Sequence, residues 1–152
     1  MLIIGALPNL EILKLEYNAF VGKIWETRDG EFQQLRFLKL ERLYDFSKWD
    51  VSFSSEHFPK LQQLVLHYCF NLKEIPCAMG EIETLQLIKV DRCPKSVGES
   101  ATQIKREQRD MGNEDLRIII GGNSEAMERL SCILCDFNIA LLFHSDVLGR
   151  VM

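Results

Sequence analysis

At 152 residues, with a formal net charge of −4 and a pI near 5.4, the chain is one domain, or one domain with a tail, and is long enough to bury a core; its acidic balance argues against a general nucleic-acid binder. The five cysteines, Cys69, Cys77, Cys93, Cys132 and Cys135, are odd in number and no Asn-x-Ser/Thr acceptor occurs, which favours a reducing, cytoplasmic setting over a disulfide scaffold. The opening run Met1–Leu7 has no basic start and is too short for a signal peptide, and no stretch reaches the roughly 18 apolar residues of a membrane span.

In chain order, apolar residues recur in four matching sets: Leu7, Leu10, Leu13, Leu15, Asn18 and Phe20; Phe32, Leu35, Leu38, Leu40 and Leu43; Phe58, Leu61, Leu64, Leu66, Cys69, Leu72 and Ile75; Ile82, Leu85, Ile88, Val90 and Cys93. The equivalent residues Leu10, Leu35, Leu61 and Leu85 are separated by steps of 25, 26 and 24. The third set reads L-x-x-L-x-L-x-x-C in register, the leucine-rich-repeat pattern. Alternation at Leu64, Val65 and Leu66 predicts a short strand with one buried face. The spacing therefore predicts an α/β leucine-rich-repeat solenoid over residues 1–95, with parallel strands centred on Ile12–Leu15, Phe37–Leu40, Gln63–Leu66 and Leu87–Val90. The legs Asn18–Glu31, Tyr44–His57 and Phe70–Glu81 are expected to run over the convex side, the second of them irregular and aromatic. A small inward Cys69 is expected to meet turning backbone with its S–H. No polar-faced coil precedes Leu7, so the first coil is expected to be open and to continue a longer solenoid.

Beyond Cys93 the pattern changes. Ser96–Gln108 carries Val97, Ala101 and Ile104 on one weak helical face, with Ser100 as a candidate helix cap, and Asp115–Ile120 reads as a last strand. Together these predict a cap over residues 96–122. Residues 123–152 form a tail in which Leu130, Ile133, Leu134, Phe137 and Leu141 suggest a short helix.

Strand positions pointing away from the core form four columns on the concave face. They are Ile12, Phe37, Gln63 and Leu87; Lys14, Lys39, Val65 and Lys89; Glu16, Glu41, His67 and Asp91; and Tyr17, Arg42, Tyr68 and Arg92. Tyr and Arg are favoured at interaction hot spots, and Ile12, Phe37 and Leu87 make a candidate apolar stripe. The candidate contact residues are Tyr17, Phe37, Arg42, Tyr68 and Arg92. The competing expectation is a solvated sheet whose Lys and Glu columns neutralise one another.

No catalytic set assembles from His57, His67 and His144, which belong to different segments. Cys132 and Cys135 have ligand spacing but no second pair, so they read as apolar-helix cysteines rather than a zinc site. Gly121–Ser124 lacks the lysine of a phosphate loop. No catalytic, metal or cofactor-binding residue is implied, and the expected mode of action is protein contact, not enzymatic.

Two stretches carry a family resemblance. Ile75–Pro94 resembles the last repeat of plant intracellular immune receptors built from a coiled coil, a nucleotide-binding switch and leucine-rich repeats. Ser100–Ile120 is similar to the C-terminal end of that region in the late-blight-resistance type of nightshades. Leu7–Leu15 and the F-P-K-L-Q-Q-L-V-L of the third coil also match. The resemblance spans about Leu7 to Ile120. It implies a cytoplasmic module that recognises a pathogen effector or host protein, or that restrains the parent receptor's nucleotide-binding domain. The G-x-x-x-x-G-K-[ST] loop of that domain is absent from this sequence. The alternatives are a truncated receptor fragment without independent function and a leucine-rich-repeat adaptor.

Overall fold

The alternation of buried and exposed residues at a repeating step of about 25 resolves into stacked strands. A computed structural model describes residues 2–51 and 57–122. A four-residue helix, α1 (Leu2–Gly5), leads into β1 (Ile12–Glu16), β2 (Ile24–Thr27), β3 (Phe37–Glu41), β4 (Lys48–Val51), β5 (Gln63–His67), a 3-10 turn (Cys77–Glu81), β6 (Leu87–Asp91), α2 (Lys95–Asp110) and β7 (Arg117–Ile120). The main sheet runs β1-β3-β5-β6-β7 and is wholly parallel. Its register aligns Leu13, Leu38, Leu64, Ile88 and the half-buried Ile118 in one inward column, and Leu15, Leu40, Leu66 and Val90 in the next, where Ile120 follows but is 46% exposed.

These columns are the core. Leu38, Leu40, Leu64, Leu66 and Ile88 are fully buried, each contributing about 1.5–3 kcal/mol relative to exposure. The return leg covers them with Leu72 and Ile75, also buried. At the outer edge β1 has no strand upstream among the described residues. Leu7, expected to stand uncovered on an open first coil, is 47% exposed there, whereas Leu13 and Leu15, expected to be open with it, are buried. The cysteine expectation holds: Cys69 Sγ donates to the Leu40 carbonyl at 3.5 Å, and Cys93 Sγ to that of Asp91 at 3.5 Å. A hydrogen bond with Cys93, together with burial, pushes the Cys69 thiol up.

The second leg is more ordered than expected. Both Asn18–Glu31 and Tyr44–His57 contain a strand, β2 and β4, and these pair in parallel as a second sheet. Each uses alternation over four residues, with Trp25 and Thr27 inward on β2 and Trp49 inward on β4. The two indoles stack 5.1 Å apart and 4° from parallel. Phe32 and Phe58 stack beside them at 5.2 Å, and Phe20 and Phe46 complete the aromatic layer. The indole N–H groups of Trp25 and Trp49 are buried without a hydrogen-bond partner among the described residues; the Trp25–Phe32 and Trp49–Phe58 rings meet near perpendicular.

At the other end the cap forms as a helix followed by a strand. Val97, Ala101 and Ile104 face the core as the pattern predicted. Ser100 does not cap the helix. The helix starts at Lys95, directly after Pro94, whose ring fixes φ at −54° and leaves no N–H to satisfy. Ser100 instead sits inside the helix, where its hydroxyl accepts from the Ile75 N–H at 2.9 Å and donates to the Val97 carbonyl at 2.8 Å. It ties α2 to the preceding coil. Gln108 does the same one end further on, donating to the Ile82 carbonyl at 2.7 Å. Residues 123–152, including the expected tail helix with Cys132 and Cys135, lie outside the described residues.

Candidate protein-contact face

Each strand of the first four repeats ends at the same place, and the chain leaves it by the same backbone device. Tyr17, Arg42, Tyr68 and Arg92 follow β1, β3, β5 and β6, and all four adopt left-handed conformations with φ between 51° and 54°. A non-glycine residue there costs about 1–2 kcal/mol. The ladder holds it in place: the N–H groups of Tyr17, Arg42 and Tyr68 donate to Glu41, His67 and Asp91 of the next strand.

Identical backbone geometry at a parallel-strand spacing of about 4.8 Å stacks these side chains on one another. The Arg42 guanidinium lies 4.8 Å from the Tyr17 ring and 5.2 Å from the Tyr68 ring, and the Arg92 guanidinium lies 5.4 Å from the Tyr68 ring as well. Arg42 also donates to the Tyr17 hydroxyl. The result is a Tyr–Arg–Tyr–Arg ladder of cation–π contacts along the rim of the sheet. Four of the five candidate residues are thus brought together. The fifth, Phe37, stands three columns away, half-buried, with Lys14 Nζ 5.9 Å from its ring centre. In its column Ile12 is 61% exposed, whereas Leu87 is half-buried.

The sequence did not single out Tyr44 and Phe70. They stack at 6.1 Å, and Phe70 meets Tyr68 edge-on at 5.8 Å, so they back the ladder from the leg side. Asn18 and Asn71 clamp Tyr44 from either side: Asn18 Oδ1 accepts from its N–H at 2.9 Å, and Asn71 Nδ2 donates to its carbonyl. Burial pushes the Tyr44 hydroxyl above its ordinary range. The recurrence of an aromatic residue two positions after the rim residue (Tyr44 after Arg42, Phe70 after Tyr68) is the signal that marks them.

Between the ladder and the lysine column runs the acidic column, and it is unevenly neutralised. Lys39 bridges Glu16 at 2.9 Å and Glu41, and Glu41 also meets Arg42 at 3.7 Å and His67 Nδ1 at 3.5 Å. The Lys39 hydrogen bond, against the cost of burial, holds the Glu41 carboxyl below the usual carboxylate range; the hydrogen bonds that Lys39 donates to Glu16 and Glu41 raise it correspondingly. His67 Nε2 lies 2.9 Å from Asp91 Oδ2. The column then stops. Next in register is Gly121, whose N–H donates to Val90 and against which the Asp91 side chain packs too closely for any β-carbon.

No protein-family model matches the chain. Curated relatives do. The late blight resistance protein homologs R1B-16 and R1B-13 of Solanum demissum are 41% identical over 118 residues and 44% identical over 117, covering 76% and 75% of this chain. The homolog R1B-23 of the same species is 39% identical over 116 residues, 75% of this chain. The chain spans only 9–10% of the length of these relatives. No helix among the described residues is long and apolar enough to cross a membrane. Solenoid, register and sequence identity agree: this chain carries a leucine-rich-repeat segment of the plant late-blight-resistance type.

Proposed function

We propose that the segment is a non-enzymatic, cytoplasmic protein-interaction module of a plant disease resistance receptor. It acts by contact through the concave face, recognising a pathogen effector or host protein, or holding the receptor's nucleotide-binding switch at rest. The observation that carries this reading is the rim ladder. Tyr17, Arg42, Tyr68 and Arg92 stand side by side in one strained backbone conformation, pre-organised by their mutual stacking, as contact residues need to be. Late blight resistance homologs as relatives support the disease-resistance setting.

The test uses the part of the R1B-16 homolog outside the matched segment as partner. Co-expressed with this chain, it is expected to be retained by it, and Phe37→Ala with Tyr68→Ala is expected to release it while the chain keeps its circular-dichroism spectrum. Unchanged retention with both substitutions would sink the assignment of this face to that partner. Loss of the folded spectrum would make both residues structural instead.

A further inference from the structure

The charges of the concave face do not cancel evenly along the solenoid. In the first half Lys39 and Arg42 are committed to Glu16 and Glu41 while Lys14 lies over the Phe37 ring, and in the middle Asp91 is taken by His67. In the last half the cations Lys89, Arg92 and Arg117 are exposed, and none forms an ion pair with a carboxylate among the described residues. Gly121 occupies the place where another acid would continue the column. Register puts Arg117 beside Leu87 and Lys89 beside Ile119, with Val65 next to Lys89 on the other side. Lys89 thus stands between Val65 and Ile119, Arg117 stands beside Leu87, and Arg92 lies one residue past the His67-bound Asp91; Ile119 is 49% exposed.

We propose that this C-terminal half of the face binds an extended acidic segment of a protein partner, one whose carboxylates alternate with apolar side chains. The alternation follows from the sheet. Cationic and apolar positions interleave across β5, β6 and β7, so a segment crossing the strands meets charge and apolar surface in turn. Uncommitted cations attract and orient such a segment and repel a basic one. This inference rests on the contact role proposed above for the concave face.

The experiment pans a random peptide library displayed on phage against the immobilised 152-residue chain, then maps each enriched peptide by amide proton–nitrogen correlation spectra. The expected peptides are rich in Asp and Glu and shift the amides of Val65, Leu87, Lys89 and Ile119. The double variant Lys89→Ala/Arg92→Ala is expected to weaken them about tenfold, the sum of two exposed pairs, and added salt to weaken them further. Lys105→Ala/Arg106→Ala, which removes the same charge from the outside of α2, is expected to leave binding unchanged. Peptides that shift the same amides without acidic enrichment would overturn the acidic-segment inference and leave the contact face standing. Peptides that shift only leg or α2 amides, or no enriched peptide at all, would overturn both. Equal weakening by the two double variants would overturn the inference as well, since it would reduce the attraction to net charge.

Discussion

Replacing Tyr68 with alanine removes the ring shared by two guanidinium groups. The Arg42 and Arg92 contacts, at 5.2 and 5.4 Å, are partly exposed and worth about 0.5–1 kcal/mol each. The edge contact with Phe70 at 5.8 Å adds about 0.5–1.5 kcal/mol. Tyr68→Ala is therefore expected to cost about 2 kcal/mol, which lowers the urea midpoint by about 1 M at the slopes usual for small proteins. The backbone supplies an internal control. At φ 54° alanine keeps a left-handed penalty of about 1–2 kcal/mol, which glycine escapes at an entropic cost of about 0.5–1 kcal/mol. Tyr68→Gly should then be at least as stable as Tyr68→Ala, the reverse of the order within a strand. Urea unfolding followed by tryptophan fluorescence, with Arg42→Ala and the double variant completing a cycle, measures both. A coupling between Tyr68 and Arg42 indistinguishable from zero, or glycine clearly less stable than alanine, would refute the argument.

Two further predictions concern the ties on either side of the core. Ser100→Ala leaves the Ile75 N–H without its acceptor and is expected to cost about 1–3 kcal/mol, seen as a fall of several degrees in the thermal midpoint; an unchanged midpoint would mean that water replaces the hydroxyl. Glu41 has its carboxyl lowered below its ordinary 4.5, so its contribution is complete above that value and is lost as pH falls through the lower, folded-state value. Lys39, raised above its ordinary 10.5, contributes fully below that value and loses its contribution as pH rises through the higher one. Glu41→Gln should flatten the acid limb of stability against pH and soften the alkaline limb; superimposable profiles for the two proteins would show that the network contributes nothing.

The main sheet was legible because its side chains obey a period of two inside a period of about 25, and both are set by which atoms are hidden from water. The strand centres and inward columns from Leu13 to Ile88 followed from that rule. The second sheet obeys it too: I-W-E-T and K-W-D-V stand 24 residues apart with the tryptophan in the same place. Four residues between turns are a faint signal, and the aromatic crowding around them disguised an ordered layer as an irregular leg. The rim was half legible. Its residue types were apparent as a column, but nothing in Tyr, Arg, Tyr and Arg announces a left-handed backbone, because the main-chain ladder imposes it. Ser100 was misplaced for a local reason: a serine before helix formers resembles a cap, and only its partner in another coil, Ile75, reveals its use.

The side of the solenoid opposite the rim changes thickness along its length. Over β2 and β4 it is built of strands, spaced like the strands of the main sheet at about 4.8 Å, so the first two coils stack as parallel slabs. Over the last coils the same side holds a 3-10 turn and then α2, and a helix with its side chains is about 10 Å across. A layer that is wider behind than in front works as a wedge. Larger side chains at Val97, Ala101 or Ile104, which seat that helix against the core, are therefore expected to splay β7 from β6.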